Sequence, residues 1–337
     1  MNSYKVALAV NRPLAESIFK AEDLDFLASF AEFNPLAELP DVMTYDFMRQ
    51  ILPGADACIT CWGTPAWTSA LLDEHPSLRL IAHAAGSVKN LIPADFWRRA
   101  CRLTSNAPVI AEDVAQTTLA LILCSLKQIW HFARQTRSGQ WSGGEKSLFA
   151  TRRLDGLTVG VVSASLVGKA VIKILQPYRC RILLYDPYLS QMDAHSLGVT
   201  LTSLPELMAA SDVVTLHAPA VPACSRMINA TNLPLLPDGA LLINTARGML
   251  IDEAALIREL QTGRIFACLD VTDPEPPAPD HPFRSLDNVV LTPHIAGGHT
   301  SNGRQMLGAN SINEVYNYLH KGLLSYEVRP EMLGIMA

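Results

Sequence analysis

The sequence predicts an α/β protein built from two doubly wound, parallel-sheet domains. Three observations carry this. The chain has 337 residues, room for about two domains at ~150 residues each. Short apolar runs of strand length alternate with stretches of helical spacing, the pattern of parallel strands joined by crossover helices. The alternation starts afresh at Leu157, after a stretch with no periodicity. Hydrophobic residues make up 49% and charged residues 18%, a composition with a large core rather than a disordered one.

Val6 to Val10 is the first buried strand, and Ala57 to Trp62 and Leu80 to Ala85 are the next two. A helix fits Ser69 to Glu74 between them. A long helix is expected from about Ile110 to Arg137. Leu119, Ile122, Leu123, Leu126, Ile129 and Trp130 keep helical spacing, and Ala115, Ala120, Leu121 and Cys124 make it apolar nearly all round. Such a helix is buried on several sides, between domains or between subunits. Arg137 to Arg153, with Gly139, Gly143 and Gly144, reads as a loop. Strand patterns then recur at Thr158 to Val162, Arg181 to Tyr185, Val213 to His217, Leu241 to Asn244, Phe266 to Asp270 and Val289 to Leu291. Six strands with crossovers match a doubly wound dinucleotide-binding sheet. Ser203 and Glu206 form a capping box that opens one of the intervening helices. Ser301 to about Leu319 reads as a closing helix.

Several function classes are excluded early. The net charge is −5, without a long basic run, so no nucleic-acid partner is expected. The apolar stretch at Val6 is too short for a signal-peptide core. The run near Leu119 to Leu126 stops at Lys127, short of the ~20 residues of a membrane span. A cytoplasmic location without a membrane partner is the expectation. Seven cysteines give an odd count. Cys58 and Cys61 form a C-x-x-C pair without a second pair at zinc spacing. Buried, reduced packing cysteines are expected there, with zinc and redox roles as the alternatives. No metal site is expected.

Thr158 to Val162 suits the first strand of a dinucleotide sheet, after which the turn should read G-x-G-x-x-G. Here it reads Ser163-Ala164-Ser165-Leu166-Val167-Gly168, with only the third glycine. The first glycine normally permits the tight turn and the second lets the backbone approach the pyrophosphate. A serine Cβ crowds both places. Both hydroxyls can donate to phosphate oxygens, and the helix N-terminus still offers its N–H groups. The second strand ends in Asp186, 18 residues beyond Gly168 (186 − 168). That suits the ~20 residues at which an acid binds the adenosine ribose hydroxyls. An acid there repels a 2′-phosphate and favours NAD(H) over NADP(H). The competing reading of Asp186 is a turn cap before Pro187.

Three later segments carry the chemistry. Arg247 follows the strand Leu241 to Asn244, at the carboxyl edge where open α/β sheets bind ligands. A guanidinium stays charged and grips a carboxylate with two parallel hydrogen bonds, and Gly248 after it suggests a tight backbone. A surface salt bridge is the plainer role. His294 follows the strand Val289 to Leu291, and an imidazole gives or takes a proton near neutral pH. Glu275, on a proline-rich loop with Pro274, Pro276, Pro277 and Pro279, can fix its tautomer and favour its protonated form. Asp270 either accepts from a nicotinamide carboxamide or caps the next turn.

On these segments the chain resembles the D-isomer-specific 2-hydroxyacid dehydrogenase family. The matching pieces are Leu216-His217-Ala218-Pro219, Asn244-Thr245-Ala246-Arg247-Gly248, Ile251-Asp252-Glu253, Asp270-Val271 with Glu275-Pro276, and Thr292-Pro293-His294-Ile295-Ala296-Gly297. The resemblance implies a Rossmann NAD-binding domain, residues 108–301, inserted in a flavodoxin-like substrate domain made of residues 1–107 and 302–337. It implies that Arg247 binds the substrate carboxylate and polarises its carbonyl, that His294 and Glu275 are the acid/base pair, and that hydride passes between nicotinamide C4 and substrate C2. Cofactor contacts would come from Ser163, Ser165, Leu166, Val167, Gly168, Asp186, His217, Ala218, Pro219, Thr245, Ala246, Asp270 and Gly297. The backbone of Ala85, Gly86 and Ser87 would hold the substrate carboxylate. A small 2-keto or 2-hydroxy acid, NADH as cofactor and a homodimer are further implications. The chain departs from the family pattern at Ser163 and Ser165, at Ala85 and Ser87 in place of glycines, at Lys89 in place of a common aspartate, and at Gln116 in place of glutamate. The turn without its glycines keeps a second function in view: an NAD(H)-binding sensor or corepressor-like protein with little or no catalysis. The complete trio of Arg247, Glu275 and His294 favours the enzyme.

Overall fold

The structure, a computed structural model, describes residues 4–141 and 151–334. Part of the loop expected from Arg137 to Arg153, with Gly143 and Gly144, lies outside the described residues. The chain divides into two units, one from Met1–Ile110 and Gly298–Met336, the other from Ala111–Gly297.

The first unit holds five parallel strands: β1 (Tyr4–Ala9), β2 (Ala31–Phe33), β3 (Ala57–Thr60), β4 (Leu80–His83) and β5 (Arg102–Ser105). Their spatial order is β2-β1-β3-β4-β5, the flavodoxin-like order of a doubly wound sheet. Strand side chains alternate between the two faces. Val6, Leu8 and Ile59 pack on one face with Leu307, Ile312 and Val315 of the closing helix, Ser301–Lys321. Ala7, Cys58 and Ile81 pack on the other with Met48, Leu71 and Phe96. Cys58 and Cys61 fall into these two different layers, both as free thiols. Burial raises both, Cys61 to about 12, so neither is a ready thiolate.

The second unit holds seven parallel strands: β6 (Thr158–Val162), β7 (Arg181–Tyr185), β8 (Thr200–Leu201), β9 (Val213–Leu216), β10 (Leu241–Asn244), β11 (Phe266–Leu269) and β12 (Val289–Leu291). The order is β12-β11-β10-β9-β6-β7-β8. Strand order reverses between β6 and β9, and such a switch point opens a crevice at the carboxyl edge. The capping box forms as expected: Ser203 Oγ accepts the Glu206 N–H and the Glu206 carboxylate accepts the Ser203 N–H.

The long helix is the main departure from expectation. It is two helices, Ala107–Leu126 and Ile129–Arg137, broken where Gln128 turns left-handed at φ 53°. The first is long and apolar enough, by length and composition, to cross a membrane. Here Ala111, Ala115, Leu121, Ile122 and Leu126 pack against Val159, Val161 and Val171. The second buries none of its nine residues.

Candidate active site

The turn after β12 carries His294 and is built around Asp270, the residue that follows β11. Asp270 is 1% exposed. Its carboxylate accepts from Thr292 Oγ1 (2.6 Å), the Ile295 N–H (2.9 Å) and the Ala296 N–H (2.8 Å). Its carbonyl accepts the His294 N–H at 2.9 Å. Thr117 on the long helix donates to the Ala296 carbonyl at 2.9 Å. These bonds hold His294 at φ 54°, a left-handed conformation that a residue with a Cβ adopts at a cost of about 1–3 kcal/mol. The turn-holding role of Asp270 therefore occupies its carboxylate. The ring Nδ1 of His294 lies 2.8 Å from Glu275 Oε1, with the two side chains 45% and 40% exposed. An ionised carboxylate only accepts, so Nδ1 carries a proton and Nε2 is the nitrogen left to exchange one.

Arg247 sits one strand across, beyond the end of β10. Asn244 shapes its turn: Oδ1 accepts the Ala246 N–H (3.0 Å) and Nδ2 donates to the Arg247 carbonyl (2.8 Å). Thr245 Oγ1 is 3.1 Å from Thr118 Oγ1, a buried contact. Gly248 has no room for a Cβ, which would strike the backbone of Thr272 and Asp273. The glycine thus lets the Arg247 turn lie directly against the loop that carries Glu275. Burial pulls the Arg247 guanidinium below its ordinary range and the nearby Glu275 charge pushes it back up; it remains a cation. Arg247, Glu275 and His294 thus come together on the loops after three neighbouring strands. A cavity of about 610 Å³ lined by Asp270, Thr272, Glu275, Pro276, Arg284 and Thr292 opens at this edge.

The turn between β6 and the helix Leu166–Leu175 keeps a glycine-like backbone without its first glycine. Ser163 stands at φ 81°. Its N–H bonds to the Tyr185 carbonyl at 2.7 Å and its hydroxyl donates to Asp186 Oδ2 at 3.3 Å. The Ala164 N–H donates to the same oxygen at 2.8 Å. Ser165 caps the helix by accepting the Gly168 N–H at 3.2 Å. A Cβ on Gly168 would run into the Ser163 carbonyl, so this glycine is required. The N–H groups of Leu166 and Val167 meet no acceptor among the described residues, the arrangement that receives an anion at a helix start. Asp186 also accepts the Tyr188 N–H at 2.9 Å, so it caps its own turn while it braces the serine turn.

His217, at the end of β9, is buried beneath this turn. Its Nε2 is 2.9 Å from Thr215 Oγ1 and its Nδ1 has no partner among the described residues. Burial pushes it down to about 3, so the ring is neutral. Ala218 beside it is buried as well. An anion-ready helix start, a glycine that admits no Cβ and an acid at the end of the second strand together fit a dinucleotide. Among the described residues no group of three or more His, Cys, Asp or Glu is arranged to hold a metal ion.

In the first unit, the loop after β4 is tied down from below. Ser105 Oγ donates to the carbonyls of Ala85 and Gly86, and the Asn106 N–H donates to the Ala85 carbonyl at 3.0 Å. The N–H groups of Gly86, Ser87 and Val88 meet no acceptor among the described residues. The Ala85 side chain is fully buried. His83 under the loop contacts Thr60 Oγ1 at 2.9 Å, and burial lowers it to about 4.

Sequence reasoning singled out Arg247, Glu275 and His294 but not the side chains that hold their turns. Asn244 had a signal, an asparagine at a strand end two residues before a bonded N–H. Thr117 and Thr118 had none, because their partners are distant in sequence, and Glu253 stood out only within the matched segment Ile251-Asp252-Glu253, not as a support for the Glu275 loop.

Comparison with known proteins fits this geometry. Residues 119–296 match the family model described as the D-isomer specific 2-hydroxyacid dehydrogenase, NAD binding domain. The chain is 32% identical over 281 residues to a glyoxylate reductase of Thermofilum pendens, covering 82% of each. It is 33% identical over 248 residues to a D-3-phosphoglycerate dehydrogenase of Archaeoglobus fulgidus, covering 73% of this chain but 46% of that relative. The chain thus spans less than half the length of that relative, and 53% of a second phosphoglycerate dehydrogenase, from Methanocaldococcus jannaschii. The crystal structure of the TT0316 protein from Thermus thermophilus matches with TM-score 0.75 at 28% identity, over 96% of this chain and 100% of that one. The fold defines a doubly wound α/β protein whose second unit carries a dinucleotide-binding type of sheet. The chain belongs to the D-isomer specific 2-hydroxyacid dehydrogenase family.

Proposed function

We propose that the protein is an NAD-dependent 2-hydroxyacid dehydrogenase that works as a 2-ketoacid reductase. The observation that carries this is the 2.8 Å contact between His294 Nδ1 and Glu275 Oε1, on the sheet edge that also presents Arg247. The Arg247 guanidinium pairs with the substrate carboxylate and polarises the neighbouring carbonyl. His294 Nε2 gives its proton to the carbonyl oxygen as charge develops there, and Glu275 orients the ring by accepting the Nδ1 proton. When bound, NADH supplies the hydride that adds to substrate C2. The turn of Ser163, Ser165, Leu166, Val167 and Gly168 holds the pyrophosphate, and Asp186 the ribose hydroxyls, which favours NADH over NADPH. His217, Ala218, Pro219, Thr245, Ala246 and Gly297 complete the cofactor contacts, while Asp270 acts chiefly by holding the His294 turn. The backbone of Ala85, Gly86 and Ser87 in the first unit suits an anion such as a carboxylate, since the N–H groups of Gly86 and Ser87 meet no acceptor among the described residues. Residues 108–301 form the cofactor domain and residues 1–107 with 302–337 the substrate domain, in a cytoplasmic homodimer.

The left-handed Ser163, its hydroxyl engaged by Asp186, favours one second reading: an NAD(H)-binding sensor. NADH oxidation with glyoxylate, hydroxypyruvate, pyruvate and longer 2-keto acids, beside a calorimetric titration with NADH and NADPH, separates the two. Turnover of any of these acids supports the reductase, and NADH binding without turnover supports the sensor. No binding at millimolar NADH contradicts both.

A further inference from the structure

We propose that Glu253 is a positioning residue for the acid/base pair, acting through the loop that carries Glu275; this rests on the reductase reading. Glu253 opens the helix Glu253–Gln261, whose start is fixed by Asp252 accepting the Ala255 N–H at 3.0 Å. Its carboxylate leaves the helix and bridges the loop. Oε1 accepts the Asp273 N–H at 2.9 Å, and Oε2 lies 3.4 Å from His281 Nε2. The His281 Nδ1 accepts the Phe283 N–H at 3.4 Å, so the ring proton is on Nε2 and points at Glu253. Glu275 lies between the two anchors, two residues after Asp273 and six before His281 (275 − 273, 281 − 275). One carboxylate therefore fastens both flanks of the segment that presents Glu275 to His294. The other side of that segment is set by Gly248, against which the Thr272–Asp273 backbone packs. The Glu253 and His281 side chains are only 16% and 17% exposed, so water is a poor substitute at the His281 anchor, whereas the Asp273 N–H lies on an exposed loop. Burial raises the Glu253 carboxyl above its usual range, and the two donors oppose that rise.

Glu253 also serves its own helix as an acid in the first turn, and the test must separate that from positioning. In Glu253→Ala, kcat is expected to fall by about tenfold to a hundredfold, the scale of a small misplacement of a reacting group. NADH affinity and KM stay near wild type. Glu253→Gln keeps an acceptor for the Asp273 N–H but sets an NH2 donor against the His281 Nε2–H, so it recovers only part of kcat. In a Glu275→Ala background, Glu253→Ala costs little more, because the two residues act as one unit. A Glu253→Ala protein with lowered Tm but unchanged kcat overturns the proposal, as do losses that multiply in the double variant. Ring ¹⁵N shifts of His294 give a readout independent of turnover. Wild type shows the Nδ1-protonated tautomer and Glu253→Ala a mixture; identical spectra overturn the proposal. An inactive wild type contradicts the reductase reading alone, and the ring shifts then decide the role of Glu253.

Discussion

The corner that joins His294 to Glu275 and the serine turn at Ser163 lie on the same edge of one sheet but are built differently. At the corner the side chains are intact and already bonded: Asp270 holds the turn and Glu275 holds the ring of His294. At the serine turn no glycine stands at position 163, yet the backbone there is left-handed, as a glycine's would be, at φ 81°. Proton transfer near neutral pH depends on the side chain itself, here the imidazole of His294. Phosphate binding needs N–H groups aimed from a tight turn, and any residue that tolerates the turn supplies them. The first region is constrained by identity, the second by conformation.

If so, the two regions respond oppositely to substitution. The largest effect is expected for Arg247→Leu, with kcat/KM on any accepted keto acid falling by about 10²–10³, the usual loss for removing one donor from a reacting oxygen. Steady-state kinetics would check this, and a change in KM alone would demote Arg247 to simple anchoring. Glu275→Gln should follow, with kcat lowered by about 10–100-fold, as for partners that orient an active imidazole. NADH affinity by calorimetry should be unaffected by either change.

On a separate scale, stability rather than turnover, a pH effect is expected from histidines that contrast with His294 in burial. His217 and His83 are pushed by burial to about 3 and about 4, from an ordinary 6.5. Both folded values lie below the unfolded one, so between them the unfolded chain binds protons that the folded chain refuses. Their contribution to stability is complete above the unfolded value of 6.5 and is lost as pH falls through that interval. The expected slope is about 1.4 kcal/mol per pH unit for each histidine. Urea midpoints measured stepwise from neutral pH downward should decrease; a flat profile would contradict neutral burial. The smallest effect is expected for Ser163→Gly. Relief of the left-handed strain should stabilise the second unit by about 1 kcal/mol or less, since glycine also loosens the unfolded chain. NADH should bind at least as tightly. Weaker binding would mean that the Ser163 hydroxyl, not the backbone, makes the cradle.

The same division between side chain and backbone explains what could be read from the sequence. The doubly wound class was legible because most strands are continuous apolar runs, such as Thr158–Val162 and Leu241–Asn244. Three strands were not. β8 has two residues, β2 has three with Glu32 at its centre, and β5 reads Arg-Leu-Thr-Ser. Thr104 and Ser105 of β5 are buried polar groups, which periodicity cannot find. The helix break at Gln128 has no glycine or proline to mark it. In the site, strand-end residues with distinctive chemistry stood out, and Gly248 was legible as a tight approach. Supports such as Thr118, Glu253 and His281 become meaningful only when the fold brings their partners to them.

The account turns on whether an intact corner works with an altered turn, and His294→Asn tests that most directly. NADH oxidation on the best 2-keto acid should be followed beside NADH titration, for wild type and variant together. The expected result is wild-type turnover, a loss of about 10²–10⁴ in kcat for the variant, and the same NADH affinity in both. An active variant, or a wild type that binds NADH and reduces nothing, would contradict it.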